Sequence, residues 1–228
     1  RGGYRDRFFG RIMFPIRNHF GKIVGFTGRI LRDGDSDAKY VNSPETPIFK
    51  KSKILYGFHK SKEHIRTARS AFLVEGQMDF LMAWQDGMKT AVATSGTAVT
   101  PDHLMTLRRY ADELVIGFDN DAAGWSAAER ACGLAHELDF TTRVMMLPDT
   151  AKDPADIAAS APGMLRQLVE RAEPSLRLFF KKYPLGQDPT RSKGNVRTLL
   201  AAIRRLASPI DRGYWIRELS VASGIPGE

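Results

Sequence analysis

Glu113-Leu-Val-Ile-Gly-Phe-Asp-Asn-Asp-Ala-Ala-Gly124 decides the fold. A short apolar run breaks at an acidic turn, and Ala122 to Leu138, rich in Ala, Glu and Leu, reads as a helix. The pattern recurs on both sides. Ala71-Phe-Leu-Val74 ends in Glu75-Gly76, and helical spacing follows from Met78 to Trp84. Thr90-Ala-Val-Ala93 comes next, then Thr100 as N-cap with Pro101 at the first position of a helix running from Asp102 to Tyr110. Arg143-Val-Met-Met-Leu147 is the last such run and stops at Pro148. Strands apolar on both faces, alternating with helices, predict an α/β fold built on a parallel sheet covered by helices.

The flanks read differently. In the first seventy residues short β-like runs alternate with turns. Arg11 to Ile16 and Ile23 to Thr27 flank a hairpin loop, Asn18-His-Phe-Gly-Lys22. Asp33-Gly-Asp-Ser-Asp37 reads as a polar loop, and the two prolines in Lys39-Tyr-Val-Asn-Ser-Pro-Glu-Thr-Pro47 argue against regular structure there. Phe8, Phe14 and Phe26 are expected in the core. Beyond Pro162, Met164–Ala172, Ser175–Tyr183 and Val196–Ala207 read as helices. The division is a basic mixed α/β N-terminal part (1–69), a central sheet (70–160) and a helical tail (161–228).

The 228 residues carry a net +8, distributed unevenly. Residues 1–70 hold 16 Lys+Arg against 6 Asp+Glu, or +10, and residues 71–160 hold 6 against 14, or −8. The tail holds 12 against 6, or +6. An acidic centre between basic arms is what a polyanion-handling enzyme with metal-binding carboxylates would show. With 43% hydrophobic and 26% charged residues, the chain is not disordered throughout, and no stretch reaches the length of a membrane span. Cys132, the single cysteine, leaves neither an internal disulfide nor a multi-cysteine zinc site and suits a reducing compartment. The chain opens on Arg1, which reads as a piece of a longer protein.

Ligands of an open parallel sheet sit outside the carboxyl ends of its strands. Glu75 closes the first predicted strand, Asp119 and Asp121 the third, and Asp153 with Asp156 follows the fourth. These are hard oxygen donors of the kind Mg²⁺ takes, and Gly124 would let backbone approach closely. Taken singly, each Asp is more simply the N-cap of the next helix; Glu75 has no such role, and chance explains poorly why all of them meet at one edge. Thr94-Ser-Gly-Thr97 either offers backbone N–H groups to a phosphate or is only a tight turn. No Walker or dinucleotide motif occurs, and the five histidines lack metal-ligand spacing. In the N-terminal arm Arg5, Arg7, Arg11, Arg17, Lys39, Lys50, Lys51 and Lys53 alternate with Tyr4, Phe8, Phe9, Tyr40 and Tyr56. Cations for phosphates and rings for bases suit single-stranded nucleic acid; a solvated sheet with one buried face has the same alternation.

Taken together, Tyr4-Arg-Asp-Arg-Phe-Phe-Gly-Arg-Ile-Met-Phe-Pro15, Lys39-Tyr-Val-Asn-Ser-Pro-Glu-Thr46, Lys51-Ser-Lys-Ile-Leu-Tyr-Gly57, Val74-Glu-Gly-Gln-Met-Asp79, Ala93-Thr-Ser-Gly-Thr97 and Phe118-Asp-Asn-Asp-Ala-Ala-Gly124 resemble the catalytic core of bacterial DnaG-type primases. The resemblance runs from Tyr4 to about Asp156, and the helical tail fits the family's third subdomain. It implies a TOPRIM fold at the centre, shared with topoisomerases and some nucleases. It also implies roles: Glu75 at the first metal, Asp119 and Asp121 as the D-x-D pair for catalytic Mg²⁺, and Asp153 as the first aspartate of a D-P-D motif. Arg7, Arg11, Arg29, Lys39, Asn42 and Lys51 match a basic ridge for template and nucleotide phosphates. Mn²⁺ is the alternative ion, and zinc is not expected within these residues.

The sequence departs from the family pattern at Gln77, where Tyr is usual, and at Asp153-Pro-Ala-Asp156, where Ala155 replaces the second aspartate, so that either Asp156 substitutes for it or that site is weaker. Part of the N-terminal subdomain and the family's zinc-binding and helicase-binding domains are not in this sequence. The implied function is DNA-templated synthesis of short RNA primers from ribonucleoside triphosphates by two-metal phosphoryl transfer. The implied partners are single-stranded DNA, ribonucleotides, the RNA product and, through a domain outside these residues, the replicative helicase. No membrane is implied, and the place is the bacterial cytoplasm at the replication fork. A topoisomerase would need a nucleophilic tyrosine on a further domain, and a noncatalytic binding module would use the aspartates only as caps. A phosphate-accepting signalling domain would leave the basic arm without a role.

Overall fold

The computed structural model describes residues 3, 6–32, 38–186 and 189–224. Tyr4, Arg5 and the loop 33–37 lie outside the described residues. Arg11–Arg17 (β1) and Ile23–Ile30 (β2) form the expected antiparallel hairpin. Asn18 closes its loop, the side-chain carbonyl accepting from the N–H groups of Phe20 and Lys22, each at 3.1 Å. The proline-containing loop is not irregular throughout. Tyr40–Asn42 (β3) pairs with β2 as the third strand of this sheet, because Pro44 and Pro47 fall beyond the paired residues and remove no ladder donor. After a 3-10 turn at Lys51–Lys53 comes a helix that the sequence reading did not anticipate, Phe58–Ala68 (α1). Its buried residues, Phe58, Ser61 and Ile65, fall on one helical face.

The central layer contains Ser70–Val74 (β4), Gln77–Gln85 (α2), Ala91–Ala93 (β5), Pro101–Arg108 (α3), Glu113–Ile116 (β6), Ala122–Glu137 (α4) and Thr141–Val144 (β7). Pro154–Ser160 (α5) and Met164–Glu170 (α6) follow, then a two-residue strand Glu173–Pro174 (β8), Ser175–Lys182 (α7), Pro189–Arg204 (α8) and Pro209–Ser223 (α9). The sheet order is β5-β4-β6-β7-β8. Its first four strands are parallel and β8 is antiparallel at the edge. With β5 on one side of β4 and β6 on the other, the chain reverses direction across the sheet at β4. The crevice at the carboxyl ends of β4 and β6 is therefore the switch point at which such folds bind ligands.

Alternate residues of the strands feed two cores. Ala71, Leu73, Leu114 and Ile116 pack on one face with residues of α1, α3, α4, α7, α8 and α9. Phe72, Val74 and Val115 pack on the other with α2, α5 and α6 and with Ile16, Phe49 and Tyr56. Leu73, Leu114 and Ile116 are fully buried, each contributing about 1.5–3 kcal/mol of apolar transfer. Thr100 caps α3 as expected, its hydroxyl accepting from the His103 N–H at 3.2 Å. Phe14 packs at the border of the second core and Phe8 is half-buried, but Phe26 is 38% exposed rather than in the core. Opposite Pro15, it stands on the outer face of a sheet whose inner face takes Gly25 and Thr27. Gly28 has its own reason: a Cβ there would come within 2.9 Å of the Phe8 ring and 3.1 Å of the Arg11 side chain.

Candidate active site

Glu75 leaves the end of β4, Asp119 and Asp121 leave β6, and Asp153 leads into α5, so the sheet gathers them at one edge. The cap reading is correct for two of them. Asp121 caps α4, its carboxylate accepting from the Gly124 N–H at 2.7 Å, and Asp153 caps α5, accepting from the Asp156 N–H at 2.8 Å. Each bond uses one oxygen and leaves the carboxylate's charge at the edge. Glu75 and Asp119 cap nothing. The Glu75 carboxylate instead accepts from the Asp119 N–H at 3.3 Å, joining the ends of β4 and β6. Gly124 makes the close approach that its place in the sequence suggested: a Cβ there would lie 2.2 Å from the Asp119 carbonyl oxygen.

The carboxylates repel one another. Burial, followed by the charges of Glu75, Asp153 and Asp121, raises Asp119 to about 6. Burial and the Asp121 charge also push Glu75 upward, against the opposing hydrogen bond from Asp119.

A further carboxylate, absent from the residues read as ligands, belongs to the same edge. Asp79 lies in the first turn of α2, buried at 7% exposure, and accepts from the N–H groups of Gly76 at 3.0 Å and Ala155 at 3.3 Å. Burial first, then Asp153, raises it to about 7. Its signal was in the sequence, four residues after Glu75, where one helical turn returns a side chain to the same end. Asp156 stands apart. It is exposed, accepts at 3.1 Å from the N–H of Lys152, the residue before the α5 cap, and is not among the charges that move Asp79 or Asp119.

Every donor at this edge is a carboxylate oxygen, the chemistry that suits Mg²⁺ or Mn²⁺ rather than zinc. Among the described residues no group of three or more His, Cys, Asp or Glu is drawn together as a cage for an ion. Mg²⁺ commonly takes only one or two carboxylates and completes its shell with water and substrate phosphates. Burial, with repulsion from the neighbouring carboxylates added, is the cost of assembling such an edge at Asp119 and Asp79, and a cation would offset it. A cavity of about 460 Å³ opens beside Glu75, between α4 and the loop after β5. In the Thr94-Ser-Gly-Thr97 loop the N–H groups of Thr94 and Ser95 are taken by the Val74 and Glu75 carbonyls, while Gly96 and Thr97 line the cavity.

Arg29 lies over the Tyr40 ring at 5.9 Å, and Tyr40 is within electrostatic reach of Asp79 and Asp153. Arg7 donates to the Asn42 carbonyl at 3.1 Å, and Arg11 to the carbonyls of Ala38 at 2.9 Å and Gly28 at 3.2 Å, which holds both guanidiniums against the sheet. Asn42 and Lys51 line a narrow cleft with Thr94 and Ser95, next to Glu75; Lys39 is exposed. Of the aromatic residues, Phe9 is 85% exposed, whereas Tyr56 is buried edge-on against Phe80 and has no face open to a base.

Residues 1–62 match the family described as DNA primase catalytic core, N-terminal domain, and residues 72–158 match the Toprim-like family. A DNA primase domain from Pseudomonas aeruginosa superposes with a TM-score of 0.87 at 31% identity, over 97% of this chain and 71% of that one. The chain belongs to the DNA primase catalytic-core family. Another core of this family, a DnaG primase catalytic domain bound to single-stranded DNA, matches with a TM-score of 0.83 at 33% identity, over 96% of this chain and 71% of that one. The DNA primase of Halalkalibacterium halodurans is 35% identical over 94% of this chain and 36% of its own length. The chain thus spans about a third of the curated primases it matches.

At the two departures from the primase pattern, this core uses what it has. Gln77 is buried, with its side-chain amide donating to the Ser95 hydroxyl. Ala155 offers its backbone N–H to Asp79 in the motif that lacks a second aspartate.

Proposed function

We propose that this chain is the catalytic core of a bacterial DNA primase, copying single-stranded DNA into short RNA primers from ribonucleoside triphosphates. One observation carries the reading: Glu75, Asp119, Asp121 and Asp153 come together at the sheet's switch point, in a chain whose N-terminal strands carry Arg11, Arg17 and Arg29. Glu75, Asp119, Asp121 and Asp153, with Asp79 behind them, would hold Mg²⁺ or Mn²⁺; Asp156 contributes less because it faces its own helix. When bound there, the ions supply Lewis acidity at the primer 3′-hydroxyl and charge neutralisation at the attacked α-phosphate.

The chain's own residues do the rest. Arg7, Arg11, Arg29, Lys39, Asn42 and Lys51 hold phosphates of template and nucleotide, and the hydrogen bonds of Arg7 and Arg11 to strand carbonyls fix where those charges stand. The Asp121 and Asp153 caps hold their carboxylates in place, so positioning and electrostatics supply most of the acceleration. The three parts are subdomains 1–69, 70–160 and 161–228, working in the bacterial cytoplasm at a replication fork. The replicative helicase is engaged through a domain outside these residues. No helix among the described residues is long and apolar enough to cross a membrane.

The test is template-dependent ribonucleotide incorporation on single-stranded DNA, with and without Mg²⁺. Asp119→Asn is expected to abolish synthesis and leave single-stranded DNA binding largely intact. Full synthesis by that variant would overturn the assignment.

A further inference from the structure

Glu75 has two kinds of contact. Its carboxylate points along the acidic edge to the Asp119 N–H, and its carbonyl oxygen faces the loop after β5. That carbonyl accepts from the Ser95 N–H at 2.9 Å and from the Thr94 hydroxyl at 3.3 Å. Ser95 has a left-handed backbone, φ 61, an unfavourable conformation for any residue with a Cβ. Its neighbours must hold it there. On the side-chain side the holder is Gln77, the first residue of α2 and only 4% exposed, whose amide donates to the Ser95 hydroxyl. The corner 75–77 and the loop 94–95 are therefore stapled together on both sides of Glu75.

We infer that Gln77 is a positioning residue for Glu75, acting through Ser95 to hold the carboxylate at the cation-binding edge. This rests on the reading of that edge as a divalent-cation site. Without the Gln77 bond, Ser95 loses the contact that offsets its strained φ, and the loop that fixes the Glu75 carbonyl is able to relax. The carboxylate would then sample more directions, and a cation would find it less often in place. Partners that orient a metal ligand without touching the metal commonly account for about 10–100-fold in metal affinity.

The test uses the whole chain and Mn²⁺ alone, by calorimetric titration, with denaturation midpoints measured in EDTA. Gln77→Met keeps volume and removes the amide; Ser95→Ala keeps the backbone N–H to Glu75 and removes the hydroxyl. Each is expected to weaken Mn²⁺ binding about tenfold, at the lower end of that range. The double variant is expected to lose no more than either single, because one bond is being removed twice. In primer synthesis the half-saturating Mn²⁺ concentration should rise while kcat at saturating metal stays near that of the parent.

A lower denaturation midpoint with unchanged Mn²⁺ affinity would show a structural role only and overturn the inference. So would losses that multiply in the double variant. If the parent binds no Mn²⁺ that Asp119→Asn removes, the cation-site reading falls and takes this inference with it. Parent binding without an effect of Gln77→Met refutes the Gln77 role alone.

Discussion

Asp79→Asn should make this protein more stable in alkaline, metal-free solution, and the size of the effect follows from the geometry. Asp79 is buried beside Asp153, and its carboxyl is raised from the ordinary 3.8 to about 7. A folded pKa above the unfolded one means that the charged form is penalised in the fold. The penalty is absent below about pH 4, grows as pH rises between the two values and is complete above about pH 7. At about 1.4 kcal/mol per unit, a shift of about three units costs on the order of 4 kcal/mol. Asparagine removes that cost but offers one acceptor where the carboxylate serves two N–H groups, Gly76 and Ala155. The lost bond and the lost acidic charge at a helix N-terminus return about 1–2 kcal/mol. The net expectation is about 2 kcal/mol of added stability near pH 8, shrinking to zero or reversing near pH 5. Urea unfolding followed by circular dichroism in EDTA, parent against variant across that range, measures it. A pH-independent difference, or a variant less stable than the parent near pH 8, would refute the reasoning. Under saturating Mg²⁺ the order should reverse, because a cation stabilises the parent's carboxylates and has one fewer to engage in the variant.

His136 should give the opposite pH signature. It is 3% exposed, contacts the Thr142 and Ser175 hydroxyls at 2.6 and 3.2 Å, and is lowered to about 4 mainly by burial. Between about pH 6.5 and 4 the unfolded chain binds a proton that the folded chain refuses, so stability falls with pH there by roughly 3 kcal/mol. His136→Gln should flatten that slope in the same unfolding series, and an unchanged slope would count against it. Gly124→Ala should cost about 1–3 kcal/mol and weaken Mn²⁺ binding, since the new Cβ collides with the Asp119 carbonyl oxygen. Parent-like stability and metal affinity would show that this approach is not needed. Cys132 is fully buried with its thiol raised to about 12, so it should resist thiol reagents in the folded protein and react once urea unfolds it. Fast labelling under native conditions would contradict that burial.

Start signals explain most of the difference between sequence and structure in the helices. Thr100-Pro101 was legible as a helix start, yet Asp153-Pro154 and Ser208-Pro209 carry the same chemistry and open α5 and α9. Asp153 serves as both cap and acidic-edge residue; α9 has little apolar contrast between its faces, so periodicity does not show it. The α8 helix ends at Arg204, short of the Ala207 that its apolar residues suggested, because Ser208 and Pro209 begin the next helix almost at once. The hairpin's two strands and the buried runs of β4 and β6 could be read directly, because turn chemistry and continuous apolarity are properties of neighbouring residues.

By itself the sequence determined the strand-helix alternation, the placing of Glu75, Asp119, Asp121 and Asp153 at strand ends, and the separation of basic arm from acidic centre. These depend on spacing along the chain and on the chemistry of each residue. The tertiary structure decided what depends on residues distant in sequence meeting in space. It buried Asp79 beside Asp153, turned Asp156 back on its own helix, and brought Gln77 to Ser95. It also laid Arg29 over the Tyr40 ring. Burial and through-space charge arise only when separate segments pack together, which is why the acidic edge was visible in the sequence and its tuning was not.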